Sequence, residues 1–458
     1  MRFHQLTALG LLSLSTLGCD WREFDVYSED VPVVLLEKPD SMSRGFGVSL
    51  AVAANGSDKL TVLVGGSPGE HSPAGSFSLG VAQSPITDAT DTGSCSGDVQ
   101  SANICFLADT PAGLGRAQIT GEISELCFVL GIGLADDGAR DRDRGLIARC
   151  EDGTEYTLPV PSSVVSELIK GPMTLNSNIP VPLVLSSDAD VEAALVAGAK
   201  DQGLAWFYRP MSMTPVELVA PATEVDFGAA VAAIRLPGGG RAFAVAAPES
   251  GHVWVFRSDD AAGVVPVGCL GGPSGFGQTL ASGAVDGVAG DELVVADGEF
   301  VYVFSGAAIN QMAPSGAVEC STAALPAGGL ITSFGCGSRI NTSGCGSSEF
   351  GAALAVGDLD GDGDGEVIVG APKMTVLGES RAGAVLVYDV EGSAKHQLTE
   401  HRVLSSAESG DLLGASLAMG RSDNRNVIIA GAPGNHKVAV FYCTSLLPGS
   451  EQGSRCSN

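Results

Sequence analysis

The feature that most constrains this chain is a repeat, because five segments share one order of residues. Each segment begins with Phe-Gly or Leu-Gly, continues as an alternating strand and a turn or acidic loop, and ends as an apolar strand near Gly-Ala-Pro before an aromatic-rich strand. The segments begin at Phe46, Phe227, Phe276, Phe350 and Leu413. Units that cannot bury their apolar faces alone must stack on their neighbours. The repeat therefore predicts a closed all-β architecture in place of two or three ordinary domains.

Two further segments keep part of this order and bring the total to about seven units. LGRAQITGEISELCFVLGIG from Leu114 keeps the start and the Gly-x-Gly end, and IPVPLVLSSDADVEAALVAGA from Ile179 keeps only the end. Seven is a common blade number for β-propellers, whose sheets stack around an axis. VPVVLLEK from Val31 resembles the outer strand that precedes each unit. We predict that it pairs beside KVAVFY from Lys437 and joins the two ends of the chain.

These units resemble FG-GAP repeats, the blades of integrin α-subunit propellers and of many bacterial surface proteins. The resemblance extends over residues 31–443 and is strongest in units such as FGAALAVGDLDGDGDGEVIVGAP from Phe350. It implies an all-β fold, a seven-bladed β-propeller of FG-GAP repeats closed by an N-terminal strand. By analogy with integrins, it also places the connections that lead into each Phe-Gly strand on the face opposite the calcium loops.

One acidic loop predicts a metal site. Residues 358–366 read DLDGDGDGE between the first and second strands of the sixth unit. Calcium takes six to eight oxygen ligands, which alternate carboxylates in a tight glycine-containing loop can supply. The predicted ligands are Asp358, Asp360, Asp362, the backbone carbonyl of Asp364, and Glu366. The loop looks like the calcium loop of integrin blades, although those loops more often end in Asp. The resemblance implies that the cofactor is a structural Ca²⁺. A solvated acidic turn is the alternative.

The corresponding loops of other units carry fewer acids. The fifth unit retains Asp286 and Glu292, and the fourth shrinks to LPGGG without an acid. The third has Asp188, Asp190 and Glu192 in a shorter loop. The sequence therefore predicts one good calcium site and at most one weak one.

The N-terminus reads as an export signal. Arg2 precedes an apolar stretch that is too short to span a bilayer, and LSTLGC ends at Cys19. This string resembles the lipobox of bacterial lipoproteins, which implies an acylated Cys19. The predicted organisation is a signal peptide (1–18), a lipidated tether (19–30), the propeller (31–443) and a C-terminal tail (444–458). We expect a cell-envelope lipoprotein of the outer membrane that meets the membrane only through its lipid, with simple secretion as the alternative.

The other ten cysteines form an even number, which suits an oxidising compartment. Their spacing suggests local disulfides and leaves one long-range pair. The predicted pairs are Cys95–Cys105, Cys127–Cys150, Cys336–Cys345, Cys443–Cys456 and Cys269–Cys320. Zinc is the competing interpretation, but the sequence contains no Cys-x-x-Cys and its six histidines are scattered.

The favoured function is a calcium-stabilised adhesion or scaffolding module of the cell envelope, without catalytic residues. A formal charge of −28 excludes nucleic acid as a partner. The expected partner is a protein or polysaccharide at the cell surface, and the insert containing Cys336 and Cys345 is a candidate contact. GGSPG around Ser67 matches a nucleophile elbow but stands at a Gly-Ala-Pro position. The alternative function is a hydrolase, or a carbohydrate-binding accessory, that uses a central propeller pocket with His and acids on the axis.

Overall fold

In the computed structural model the described part of the chain folds mainly into β-strands. The structure describes residues 27–28, 33–37, 46–55, 59–65, 72–79, 89–91, 106–108, 114–118, 126–130, 145–149, 155–159, 161, 183–187, 195–200, 203–209, 214–220, 224–259, 263–312, 320, 329–336, 347–359, 363–376, 378–391, 397–404, 408–422 and 425–441. The predicted export signal, Cys19 and the tail at 444–458 lie outside these residues. Among the described residues, no helix is long and apolar enough to cross a membrane.

The strands are short and follow one another along the chain. In chain order they are β1 (Tyr27–Ser28), β2 (Val33–Glu37), β3 (Ser49–Asn55), β4 (Lys59–Gly65), β5 (Ser72–Leu79), β6 (Ala89–Asp91), β7 (Phe106–Ala108), β8 (Leu114–Gln118), β9 (Leu126–Leu130), β10 (Gly145–Arg149), β11 (Glu155–Pro159), β12 (Leu183–Ser187), β13 (Leu195–Ala199), β14 (Leu204–Tyr208), β15 (Pro215–Leu218), β16 (Val231–Arg235), β17 (Arg241–Ala247), β18 (His252–Asp259), β19 (Gly263–Gly271), β20 (Thr279–Gly283), β21 (Glu292–Ala296), β22 (Phe300–Phe304), β23 (Leu330–Gly335), β24 (Ala353–Gly357), β25 (Glu366–Ala371), β26 (Ala384–Glu391), β27 (Gln397–Leu404), β28 (Ser416–Ser422), β29 (Arg425–Ala432) and β30 (Lys437–Phe441). A short helix, α1 (Gly306–Gln311), follows β22.

These strands pair into seven sheets, which we call blades. Blade one holds β3 to β6 with β7 beside β5, blade two β8 to β11, blade three β12 to β15, blade four β16 to β19, blade five β20 to β23, blade six β24 to β27 with β1 at its edge, and blade seven β28 to β30 with β2. Each blade is antiparallel apart from β1, which runs parallel to β27. The predicted all-β propeller is confirmed.

The blades follow one another around a ring. The first strands of successive blades contact each other in the order β3, β8, β12, β16, β20, β24, β28, and β28 contacts β3 again. These first strands are therefore the innermost ones. The N-terminal strand β2 pairs with β30 in blade seven, with Val33 opposite Phe441 and Glu37 opposite Lys437.

The Phe-Gly pair recurs because the backbone beside the buried Phe has positive φ and lies close to the neighbouring blade. In blade six, Glu349 (φ 53°) and Gly351 (φ 85°) flank Phe350, so positive φ occurs on both sides of the buried ring. The N–H of Gly351 donates to the carbonyl of Gly370 at 2.9 Å in the same blade. A Cβ atom on Gly351 would lie 2.5 Å from the Cβ of Ala296 in blade five. Positive φ also occurs at both members of the pairs Asp226 and Gly228, Gly275 and Gly277, and Leu412 and Gly414.

The junction between blades seven and one has the same geometry as the junction between blades six and seven. A Cβ atom on Gly370 would overlap the carbonyl of Gly414, and one on Gly431 would overlap the carbonyl of Gly47. The hydroxyl of Ser416 also donates to the Gly47 carbonyl at 2.7 Å. The first and last blades therefore meet through an ordinary blade–blade interface.

The hydrophobic core lies between neighbouring blades. Between blades five and six, Phe334 stacks on Tyr388 with ring centroids 4.1 Å apart, and Phe350 meets Tyr388 edge-on at 6.0 Å. All three rings are buried among the valines of β21, β22, β25 and β26. Fully burying one such large apolar side chain contributes roughly 1.5–3 kcal/mol. Burial also raises the pKa of Tyr388 above its ordinary value.

A disulfide joins blade four to the segment that follows α1. Cys269 of β19 is bonded to Cys320, with Cα atoms 4.6 Å apart. Cys336, which follows β23, is also disulfide-bonded, but its predicted partner Cys345 lies outside the described residues. The other predicted pairs cannot be followed, because they fall outside those residues except for Cys127, whose side chain is not described.

Candidate functional site

The acidic loop of the sixth unit joins β24 to β25 at the end of an innermost strand. The structure describes Asp358, Leu359 and residues 363–366 of this loop, whereas the predicted ligands Asp360 and Asp362 lie outside the described residues. Antiparallel pairing places Gly357 opposite Glu366, so the two ends of the loop are adjacent. The chain thus leaves and re-enters the blade within a few residues, as a tight acidic loop requires.

Asp358 closes the loop on itself. Its Oδ2 accepts the N–H of Gly363 at 3.2 Å, across five positions of the chain. Gly363 has φ +100°, and no atom of the described residues lies within 4 Å of the place where its Cβ would stand. An L-residue is strained at that φ, which explains the glycine. The carboxylate of Asp358 is therefore turned toward the loop interior.

Glu366 is a buried carboxylate that holds the start of the same loop. It is 1% exposed, and its Oε2 accepts the N–H of Leu359 at 2.5 Å. Glu292 does the same in blade five, where its Oε2 accepts the N–H of Val285 at 2.8 Å, again across seven positions. The glutamate at the end of the loop therefore holds the loop backbone in both blades. It does so in blade five, whose loop has few acids, as well as in blade six, whose loop is acidic. Sequence reasoning treated Glu366 only as a metal ligand.

Glu292, the glutamate of the blade-five loop, has a raised pKa. Glu292 is 2% exposed, and burial raises its pKa from an ordinary 4.5 to about 7, against the opposing effect of its backbone donors. Its Oε1 also accepts the N–H of Gly306, the first residue of α1, at 3.3 Å. One carboxylate therefore connects the loop after β20 to the helix after β22.

The acidic loop rests on the corresponding loop of blade five. A Cβ atom on Gly287 would overlap the carboxylate of Asp364, and one on Gly365 would overlap the carbonyl of Ala284. Asp364 was predicted to contribute its backbone carbonyl, and the structure places its side chain against blade five. The loop is therefore part of the interface between the two blades.

Blades four and five are joined at the same level by an arginine. Arg235 stands 235 − 227 = 8 positions after its Phe, as Asp358 stands 358 − 350 = 8 positions after its own. The guanidinium donates to Oδ1 of Asp291 at 3.1 Å, and the Arg235 N–H donates to Oδ2 at 2.9 Å. The N–H of Asp291 donates back to the Arg235 carbonyl at 2.7 Å. A fixed side-chain cation thus lies where blade six has its first acid.

The innermost strands are mostly small and apolar. Their sequences are SLAVAAN, LGRAQ, LVLSS, VAAIR, TLASG, ALAVG and SLAMGRS. The charged residues in these seven strands are Arg116, Arg235 and Arg421. In the part of the chain that the structure describes, the group of three potential metal ligands within 4.8 Å of one another is His252, Cys269 and Cys320, on the outer part of blade four.

Comparisons with known proteins agree with this architecture. The FG-GAP repeat family matches residues 350–388, which run from Phe350 through most of β26 in blade six. Integrin alpha-7 of Mus musculus is 37% identical over 105 residues, and the integrin alpha-7 proteins of Rattus norvegicus and Homo sapiens give the same values. That segment is 22% of this chain and only 9% of the integrin.

Two solved structures align with this chain at low sequence identity. The periplasmic gluconolactonase PpgL of Pseudomonas aeruginosa aligns with a TM-score of 0.43 and 14% identity, covering 79% of this chain and 86% of that one. The β-propeller domain of Myceliophteria thermophila Cps50 (Swd1) aligns with a TM-score of 0.46 and 11% identity, covering 90% and 100%. Likenesses this distant carry no information about function.

The blade pairing and the recurring Phe-Gly geometry define a β-propeller, and residues 350–388 of its sixth blade match the FG-GAP repeat family. Within that class, about a fifth of the chain is similar to integrin alpha subunits.

Proposed function

We propose that this propeller is a calcium-stabilised adhesion or scaffolding module of the cell envelope and has no catalytic activity of its own. The observation that carries the proposal is the loop between β24 and β25. It is closed by Asp358, clamped by Glu366 and seated on blade five. The loop belongs to the rigid frame of the ring, so a cation there would stabilise the propeller.

Calcium suits the residues of this loop. Carboxylate and carbonyl oxygens are the ligands that Ca²⁺ prefers, and it tolerates flexible geometry. Asp358, Asp360, Asp362 and Glu366 would supply carboxylates, and Asp364 a carbonyl. Without a cation these acids repel one another, so binding to the folded state raises the free energy of unfolding. Because Asp364 lies against Gly287, the gain would extend to the interface with blade five.

Calcium titration tests the site. We expect about one tightly bound Ca²⁺ per chain by calorimetry of chelator-treated protein, and none for Asp360→Ala/Asp362→Ala. A matched control is Asp286→Ala in the blade-five loop, where Oδ1 of Asp286 accepts the N–H of Val288 at 2.9 Å. That variant should bind calcium like the wild type. Equal binding by wild type and the double variant would contradict the assignment.

The binding surface is proposed on the opposite face of the ring. The acidic loop follows the end of β24, whereas Cys336 stands in the connection that leads into β24 from β23. The disulfide at Cys336 would keep this insert rigid, which lowers the entropy lost on binding a partner. A protein or polysaccharide at the cell surface is the proposed partner, and a lipid on Cys19 would hold the ring at the outer membrane.

Removal of the insert tests this surface. Replacing residues 337–347 by a short Gly-Ser turn, together with Cys336→Ser, should preserve the calcium-dependent melting temperature and abolish adhesion of protein-coated beads to cell-envelope preparations. Beads coated with Asp286→Ala protein serve as the control. Adhesion equal to that of the wild type would exclude the insert as the contact.

A further inference from the structure

A second group of metal-binding side chains lies on the outer part of blade four. One ligand atom from each of His252, Cys269 and Cys320 lies within 4.8 Å of the other two. His252 begins β18 and Cys269 lies on the paired strand β19, opposite Trp254. Cys320 arrives from the segment after α1, 51 residues further along the chain. Three separate elements therefore converge on one point.

The histidine is oriented by a buried carboxylate. Nδ1 of His252 lies 3.0 Å and 3.2 Å from the two carboxylate oxygens of Glu224. Trp254 Nε1–H donates to Glu224 at 2.9 Å, and the glutamate side chain is only 3% exposed. A carboxylate behind one ring nitrogen is the usual support of a metal-binding histidine, because it fixes the ring and makes the other nitrogen more basic. Nε2 is then the nitrogen that would bind a metal.

The two sulfur atoms are joined in a disulfide, and a disulfide sulfur is a poor metal ligand compared with a thiolate. We propose that reduction of Cys269–Cys320 turns this group into a zinc site, with two thiolates and the His252 imidazole as ligands. Zinc favours this combination in a tetrahedral arrangement, whose fourth position would hold water. The site takes soft ligands, in contrast to the oxygen-donor calcium loop, and does not depend on that loop.

A dithiol can reduce the Cys269–Cys320 disulfide. The dithiol gives two electrons and two protons to the disulfide, yielding two cysteine thiols while it closes into its own cyclic disulfide. Zn²⁺ then displaces the two thiol protons to solvent. Since Cys269 belongs to blade four and Cys320 to the blade-five connection, the S–Zn–S bridge would replace the covalent tie between the same two elements.

The surroundings allow a metal ion to enter. Cys269 is fully buried, but the His252 side chain is 33% exposed, so the group opens to solvent on the histidine side. The buried Glu224 remains as the partner of the histidine in either redox state. Reduction would therefore free two thiolates beside an imidazole that Glu224 already orients.

Zinc content of the full-length protein tests the proposal. The protein is reduced with a water-soluble phosphine, desalted without oxygen, and equilibrated with Zn²⁺ in excess calcium. Bound zinc is then measured by elemental analysis. The matched control is Cys269→Ser/Cys320→Ser, which keeps every other cysteine. We expect reduced wild type to hold about one zinc more than the reduced control, and oxidised wild type to hold no more than the control.

Two single variants separate this site from adventitious thiol binding. His252→Ala should weaken zinc binding by at least about tenfold, and Glu224→Gln by roughly 10–100-fold, as expected for a residue that supports a metal ligand. Substitution of Co²⁺ should give a thiolate charge-transfer band that His252→Ala shifts. Equal zinc in reduced wild type and the double-serine control would overturn the proposal. Unchanged affinity in His252→Ala, or loss of the native circular dichroism on reduction, would do the same.

Discussion

At the scale of single residues, the recurring glycine is the position where two blades touch. Gly351 donates its N–H within blade six while its Cα faces Ala296 of blade five. The sequence could predict that a glycine was needed there, because Phe-Gly recurs in one unit after another. It could not show which neighbour excludes a side chain, since that neighbour lies in the preceding blade.

Gly351→Ala should therefore destabilise the propeller more than an alanine at an open glycine. Positive φ disfavours an L-residue by about 1–2 kcal/mol, and overpacking a tight contact adds about 1–3 kcal/mol. Gly378 is the matched control, with φ +91° and no atom of the described residues within 4 Å of a Cβ atom. Urea unfolding of both variants measures the difference. If both variants lose the same free energy of unfolding, the contact with Ala296 adds nothing to the cost of a side chain at Gly351.

At the scale of elements, the loops between first and second strands form a connected series on one face. Arg235 and Asp291 join blades four and five, and Asp364 on Gly287 joins blades five and six. The acidic pattern alone was enough to locate the loop of blade six. The arginine clamp was missed, because its two halves are 56 residues apart and meet only when the blades stack.

A separation of 28 residues likewise concealed the Glu224–His252 pair. The two residues belong to different strand connections, so neither forms a recognisable motif with its chain neighbours. Cys269 and Cys320 could be paired only by elimination, because their separation of 51 residues gives no local signal. Repeats reveal elements well, whereas contacts between elements depend on the register in which those elements stack.

The buried clamp of blade five predicts a dependence of stability on pH. Glu292 has a pKa of about 7 in the folded protein and an ordinary value of 4.5 when unfolded. The folded state therefore holds the Glu292 proton more tightly. The stabilisation that this gives to the folded protein is complete below the unfolded pKa of 4.5. As the pH rises from the unfolded pKa of 4.5 through the folded pKa of about 7, the free energy of unfolding should fall by up to about 3 kcal/mol.

Urea unfolding at pH values on either side of this window measures the effect. Glu292→Gln should flatten the fall, because the amide does not titrate. Glu299→Gln, in an exposed turn of the same blade, should retain the wild-type slope. If Glu292→Gln and wild type lose the same free energy between the two pH values, the carboxylate is not the source.

At the scale of the whole molecule, the described blades contact one another in a ring. β2 pairs with β30, and the interface between blades seven and one repeats the glycine contacts of its neighbours. In a closed ring each blade is held from both sides, so stabilising one interface opposes the opening of all of them. A cation at the junction of blades five and six should therefore raise the stability of the entire propeller.

Thermal unfolding with calcium and with chelator tests this account most directly. The purified protein is compared with Asp360→Ala/Asp362→Ala, which keeps the clamps at Asp358 and Glu366. We predict that calcium raises the melting temperature of the wild type by a few degrees in a single transition, and that the variant melts at the chelator value in both conditions. An identical melting temperature for the wild type with and without calcium would contradict the account and reduce the loop to a solvated acidic turn.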